Sequence, residues 1–217
     1  DRHRPIGPRP ERAAVGLPAT GLVFCNFNQI YKLDPETFAL WCRLLRDVSD
    51  SVLWLWQPTP PAVEQLHREM REHGVDPARL VLAPKLSHAE HLGRLQLADL
   101  ALDTFPVTSH TTGSDALWAG VPLVTRIGNT FASRVAGSLL HAVGLPELVT
   151  TTPEDYVNLA LALARDPQRL AGVRQRLAAN RLTMPLFDTE RFTRDLERLY
   201  QTIWEQHGRG VREPIGG

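Results

Sequence analysis

The 217-residue sequence holds only two cysteines, Cys25 and Cys42. They fall in a predicted strand and a predicted helix, where they read as small buried hydrophobes and not as a disulfide pair. A reducing compartment, and hence a cytoplasmic location, is the expectation. Net charge is lacking too: 24 basic and 24 acidic residues cancel, so bulk charge advertises neither a nucleic acid nor an acidic membrane. Lysine is scarce, the basic residues being nearly all arginine. No apolar run approaches the ~20 residues of a membrane span. No secretory signal is expected, because the first residues are rich in Arg and Pro without an apolar stretch. The start at Asp1 leaves open that this is a fragment of a longer chain. What is present in quantity is apolar side chain, 43% of the total, enough for one substantial core or two small ones.

Residues 1–20 read as a linker, since Pro5, Pro8, Pro10 and Pro18 prevent a regular element. From Gly21 onward short apolar runs alternate with helical periodicity. The expected strands are Leu22 to Phe27, Ser51 to Trp56, Arg79 to Ala83, Asp99 to Leu102 and Val121 to Thr125, with a short one near Leu148. Helices are expected from Pro35, from about Pro61, over a stretch carrying His91 and Arg94, from Thr111 and from about Ala132 to Val143. Strands that are apolar throughout and alternate with helices predict an α/β fold, a parallel sheet with helices on both faces. Pro153 and Pro167 start two further helices. A final helix capped by Asp188 or Thr189 carries Phe192, Leu196, Leu199 and Ile203 on one stripe. Residues 21–207 then form the lobe, and 208–217 a frayed tail.

The segment His110-Thr111-Thr112-Gly113-Ser114-Asp115-Ala116-Leu117-Trp118-Ala119-Gly120-Val121-Pro122 is the most informative. It places a helix start just after a strand, where unpaired N–H groups and the helix dipole attract an anion. Thr111 and Thr112 supply hydroxyls, Gly113 permits close approach to the backbone, and Asp115, one turn in, is placed to accept from a sugar diol. A parallel sheet binds ligands outside the carboxyl ends of its strands. Three loops converge there: Gln29 to Lys32, Ala83 to Arg94, and His110 to Asp115. The pattern suits a nucleotide diphosphate. Ordinary readings stand beside this one. Lys32 also reads as a solvated lysine, His91 as a helix-face residue, and Asp115 as an acid stabilised by its position in a first helical turn. His88 and His91 lack a third metal ligand and the HExxH pattern, so no metal is expected. Trp41, Trp54, Trp56 and Trp118 read as packing residues.

Long ordered strings carry a resemblance. Phe24-Cys25-Asn26-Phe27-Asn28-Gln29-Ile30-Tyr31-Lys32-Leu33-Asp34-Pro35, Ser51 to Leu55, His91 to Asp99, His110 to Pro122, Ala132 to Ala136, Pro185 to Phe187 and Leu196 to Tyr200 together resemble the O-GlcNAc transferases. The likeness runs from Gly21 to about Trp204. It implies a GT-B architecture of two Rossmann-like lobes preceded by tetratricopeptide repeats, of which this chain is the C-terminal, donor-binding lobe of a bacterial relative. It also implies UDP-GlcNAc as donor, a Ser or Thr hydroxyl of a protein as acceptor, and inversion at the anomeric carbon. By the same resemblance Lys32 meets the diphosphate as the catalytic cation, with Gln29, His110, Thr111 and Thr112 around it. His91 stacks on uracil, with Arg94 at its edge and the Ala83 backbone reading the base. Asp115 binds the ribose together with His88, a position where animal members carry Lys.

Departure of UDP builds negative charge on the β-phosphate, and fixed cations and amides stabilise that charge most in the transition state. Many glycosyltransferases use a metal held by an Asp-x-Asp pair. None occurs here, so Lys32 and the helix start are expected to substitute for it, with no cofactor. The alternatives are a bacterial N-glucosyltransferase using UDP-glucose, a non-catalytic nucleotide-sugar-binding module, and a nucleotide-sugar epimerase of the same architecture.

Overall fold

The computed structural model describes residues 1–210. Its centre is a six-stranded, wholly parallel sheet of β1 (Leu22–Asn26), β2 (Ser51–Trp56), β3 (Leu80–Ala83), β4 (Leu100–Leu102), β5 (Leu123–Arg126) and β6 (Val149–Thr150). The spatial order is β3-β2-β1-β4-β5-β6. Helices α1 (Pro35–Asp47), α2 (Pro60–Glu72), α3 (His88–Leu95), α4 (Thr111–Trp118), α5 (Val135–Ala142) and α6 (Pro153–Arg165) connect or cover the strands. Helices α7 (Pro167–Asn180) and α8 (Thr189–Gly208) follow.

The order reverses between β1 and β4, which lie side by side with Phe24 opposite Leu100 and Cys25 opposite Ala101. This is the Rossmann switch point, where the loops leaving neighbouring strands diverge to opposite faces and leave a crevice at the carboxyl edge. Strands buried on both faces explain the unbroken apolar runs: Val23, Phe24, Leu53, Trp54 and Leu100 are fully buried. Cys25 and Cys42 are free and buried. Burial pushes their thiols up to about 12 and about 11, which keeps both protonated and inert.

Element ends differ from expectation where side chains intervene. β1 stops at Asn26 and not Phe27, because the Asn26 carboxamide takes over the edge bonds: Nδ2 donates to the Leu102 carbonyl (2.6 Å) and Oδ1 accepts from the Asn28 N–H (2.9 Å). β5 begins at Leu123 and not Val121, after a turn with Gly120 at φ +85°. α5 begins at Val135 and not Ala132, because residues 130–133 close on themselves. Thr130 donates to the Ser133 hydroxyl through its N–H, and Thr108 Oγ1 donates to the Ala132 carbonyl at 2.7 Å.

The stretch read as a linker has no regular element beyond a 3-10 turn at Ala13–Val15, as its prolines require. It is nonetheless packed down. Leu17 is buried, and the Gly7 N–H donates to the Ala89 carbonyl at 2.8 Å. At the other end α8 buries none of its residues, and Phe192, Leu199, Ile203 and Trp204 on it are exposed. The expected tail falls partly on this helix, which runs to Gly208; residues 211–217 lie outside the described residues. Among the described residues no helix is long and apolar enough to cross a membrane.

Candidate functional site

The loops after β1 and β4 meet at one residue, Asn28. It is buried; Nδ2 donates to Ser109 Oγ (2.7 Å) and Thr104 Oγ1 (3.2 Å), and Oδ1 accepts from Thr112 Oγ1 at 2.6 Å. Lys32 closes the 3-10 turn Ile30–Lys32. Its ammonium lies 3.5 Å from the same Asn28 Oδ1 and 3.3 Å from the Thr108 carbonyl. Lys32, a half-buried residue, and the first turn of α4 therefore converge on a single acceptor. Gln29 and Thr111 are exposed beside it, and their side chains bond to none of the described residues.

The α4 start is held from below by Asp103. This fully buried carboxylate accepts from the Ser109 N–H (2.7 Å), Ser109 Oγ (2.6 Å), the Thr104 N–H (2.9 Å) and Thr125 Oγ1 (2.5 Å). Burial pushes its pKa up and the four donors pull against that shift. The loop 103–110 is thus wound around an acceptor, which aims the first N–H groups of α4 at the crevice. His110 caps that end with its Nε2 enclosed and without a partner among the described residues. Two expectations change. Gly113 faces inward, where a Cβ would come within 3.0 Å of the Ser109 Cβ and 3.2 Å of Leu123, so its small size serves packing and not ligand approach. The Thr112 hydroxyl is already spent as a donor to Asn28, which leaves its backbone N–H and its oxygen lone pairs for a ligand.

On the other side of the crevice, α3 begins with a capping box of Ser87 and Glu90. Arg94 is buried, its guanidinium over the rings of Phe27 (5.1 Å) and Trp54 (6.0 Å). Its Nη1 donates to the Pro84 carbonyl (2.6 Å) and its Nε to His91 Nδ1 (3.1 Å), while Nη2 is enclosed and unpartnered among the described residues. Burial draws its pKa down to about 10, so it remains a cation. Burial, reinforced by the Arg94 charge, lowers the His91 pKa to about 4. His91 is therefore neutral with its proton on Nε2, an uncharged flat ring edge-on to Phe27 at 4.8 Å. Ala83 is buried at the end of β3, its carbonyl accepting from the Gln57 N–H at 3.0 Å.

Asp115 bridges the two helices. Its Oδ1 lies 3.2 Å from His88 Nε2 and accepts from Arg4 Nη1 at 2.8 Å. Sequence reasoning missed Asn28, Asp103 and Arg4. The first two follow strand ends and were legible in principle as polar residues next to apolar runs; Arg4 stood in a proline-rich stretch with no periodic signal. Among the described residues no three of His, Cys, Asp and Glu gather as a metal site would require.

The profile of glycosyl transferase family 41 matches residues 9–196. The chain belongs to glycosyl transferase family 41. Among relatives of this family-41 chain, a UDP-N-acetylglucosamine–peptide N-acetylglucosaminyltransferase from Caenorhabditis elegans is 41% identical over 200 residues, 92% of this chain and 17% of the relative. A probable enzyme of the same name from Arabidopsis thaliana is 41% identical over 204 residues, 93% of this chain and 21% of the relative. A solved O-GlcNAc transferase mutant from Thermobaculum terrenum superposes with a TM-score of 0.80 at 35% identity, covering 85% of this chain and 36% of that one. The chain therefore spans about a fifth of the length of these curated relatives. At 10% identity, the C-terminal domain of a group 1 glycosyl transferase from Francisella tularensis shares the fold alone, with a TM-score of 0.62 over 96% of its own length. The family-41 fold here is thus the Rossmann-like lobe of a GT-B glycosyltransferase.

Proposed function

We propose that this chain is the donor-binding lobe of an inverting, metal-independent protein O-GlcNAc transferase. UDP-GlcNAc is its donor and the Ser or Thr hydroxyl of a protein its acceptor. The observation that carries the reading is the meeting of Lys32 and the α4 start at Asn28 Oδ1, 3.5 and 2.6 Å away, on the switch-point edge. In the proposed step the acceptor oxygen attacks the anomeric carbon as the bond from that carbon to the β-phosphate oxygen breaks. UDP leaves with the electron pair, and the acceptor proton passes to a base of the N-terminal catalytic lobe. Charge grows on the β-phosphate beside an ammonium and oriented N–H groups that need no reorganisation, which is the arrangement that lowers such a barrier.

The rest of the nucleotide follows the crevice. The neutral His91 ring offers a face for uracil without the cost of stripping water from a charge, with Arg94 beneath it and the Ala83 backbone at the base edge. Gln29, His110 and Thr111 line the diphosphate, and Asp115 with His88 meets the ribose. The reading also takes in an N-terminal catalytic lobe with tetratricopeptide repeats as partners, and a cytoplasmic location in keeping with two free, buried cysteines. Calorimetric titration of the full protein with UDP, UDP-GlcNAc and UDP-glucose, each with and without a chelator, tests the reading. UDP-GlcNAc should bind more tightly than UDP-glucose, and chelation should change nothing. Binding lost on chelation would overturn metal independence, and a preference for UDP-glucose would point to the N-glucosyltransferase reading.

A further inference from the structure

The Asp115 carboxylate is held by a side chain from the first residues of the sequence, 111 positions away. Arg4 Nη1 donates to Asp115 Oδ1 at 2.8 Å, and Nη2 donates to Ser114 Oγ at 3.1 Å. The guanidinium packs against a pair of touching aromatic rings, 5.4 Å from the Trp118 centroid and 5.2 Å from that of Phe187. Its own carbonyl accepts from Trp118 Nε1 at 3.1 Å. Both partners are largely enclosed, with side-chain exposures of 18% for Arg4 and 7% for Asp115. Asp115 Oδ1 is thus taken up by Arg4 and His88, while Oδ2 accepts no bond from the described residues.

The backbone around Arg4 is seated just as firmly. The Gly7 N–H donates to the Ala89 carbonyl at 2.8 Å on α3. At Gly93, also on α3, an added Cβ would come within 2.6 Å of the Pro8 carbonyl oxygen and 2.8 Å of that of Gly7. Residues 4–8 therefore form a strap across α3, which carries His88, His91 and Arg94. Arg4 extends the strap to α4, which carries Thr112 and Asp115.

We infer that Arg4 is a positioning residue for nucleotide recognition: it fixes the Asp115 carboxylate with one oxygen turned to the ribose diol, and so sets the preference for a ribonucleotide. The inference rests on the ribose reading of Asp115 proposed above. A guanidinium packed against a ring pair and tied to both Asp115 Oδ1 and Ser114 Oγ holds the carboxylate in one orientation at small entropic cost. Without it the carboxylate rotates toward water or toward His88, and the diol loses a charge-assisted partner that was oriented in advance.

The test measures affinities of the full protein for UDP and for 2′,3′-dideoxy-UDP. The wild type should prefer UDP by roughly tenfold or more, the worth of one or two hydrogen bonds to a charged group. Arg4→Ala should erase most of that preference while leaving affinity for the dideoxy nucleotide within about twofold. Arg4→Lys, which keeps the charge but not the fork, should restore only part of it. If Arg4→Ala fails to fold, Arg4→Gln carries the same comparison with a planar, uncharged donor. A variant that keeps the full preference, or that loses affinity for both nucleotides equally, would overturn the role of Arg4 and leave the Asp115 reading standing. A wild type with no preference would remove the Asp115 reading itself, and the inference with it.

Discussion

Arg94 Nε donates to His91 Nδ1 at 3.1 Å, and this one bond decides what the imidazole presents to the crevice. With Nδ1 occupied as an acceptor, the neutral ring carries its proton on Nε2. Replacing Arg94 with Met removes both the donor and the neighbouring charge. The His91 pKa should then rise above about 4 without returning to the ordinary 6.5, because burial is the larger cause of the shift and remains. Titration of the imidazole signals by NMR in the two proteins reads this directly, and an unchanged midpoint would show that the Arg94 charge is immaterial.

The same residue makes a statement about pH. The folded-state pKa of His91, about 4, lies below that of the unfolded chain, about 6.5. Between these values the unfolded state binds more protons, so stability rises with pH across the window. The contribution is present above about pH 6.5 and is lost as pH falls toward 4. Denaturant melts of the wild type and His91→Phe, compared at pH 7 and pH 4.5, should show a smaller acid loss in the variant. Equal losses would place the acid sensitivity elsewhere.

Lys32 is half-buried at the rim and contributes nothing to the core, so Lys32→Met should leave the melting temperature within a few degrees of wild type. Turnover in the full enzyme should fall by about two to three orders of magnitude, the scale of losing one preorganised charge contact to a leaving oxyanion. UDP affinity should fall less than turnover, because charge on the β-phosphate grows only as the bond breaks. Wild-type turnover would refute the assignment of Lys32.

Asn28 and Asp103 are the supports beneath that rim, and they respond to different chemistry. Asp103 faces only donors: two N–H groups and two hydroxyls. Asp103→Asn, though the same size, replaces charge-assisted bonds by neutral ones and turns its NH2 group toward the Thr125 hydroxyl, which must then accept; it should cost roughly 1–2 kcal/mol of stability, read from urea melts. Asn28→Ala removes the acceptor shared by Lys32 and Thr112 and should weaken UDP binding by about tenfold, more than it lowers the melting temperature in proportion. Unaltered UDP affinity in Asn28→Ala would separate Lys32 from the α4 start.

The lobe was legible in the sequence because buried parallel strands need unbroken apolar runs, and β2 reads off as Ser51–Trp56 without adjustment. The helix start at Thr111 was legible because it follows such a run directly. Less visible were side chains that act on backbone. Asn26 ends β1 one residue early by taking over its edge bonds, and Thr108 holds the turn before α5; neither leaves a periodic trace. Gly113 shows the converse: a glycine at a helix start suggested ligand approach, and only the positions of Ser109 and Leu123 reveal that it makes room for the core. Arg4 was least legible, since irregular backbone carries no pattern from which a distant partner such as Asp115 can be read.

Gly93 offers a way to disturb the strap without touching any residue assigned to the nucleotide. It is buried on α3, and a methyl group there has nowhere to go, since both close neighbours are backbone carbonyl oxygens of Gly7 and Pro8. Elsewhere in a helix, Gly→Ala stabilises by propensity, on the order of 1 kcal/mol. Here the overlap should outweigh that gain, and Gly93→Ala should destabilise by roughly 1–3 kcal/mol. The strap, being held by a few bonds and not by the sheet, should lift before the lobe unfolds. Arg12, whose guanidinium donates to the Gly21 carbonyl at 2.9 Å, lies just beyond it. Trypsin cuts after arginine but poorly before proline, which protects Arg4 and Arg9; Arg2 lies ahead of the strap, and Arg12 is the reporter beyond it. Cleavage after Arg12 should accelerate in Gly93→Ala under native conditions, while hydrogen exchange in β1 and β4 stays slow. If the variant is instead as stable and as resistant as wild type, residues 4–8 do not rest on α3 as the close approach at Gly93 requires.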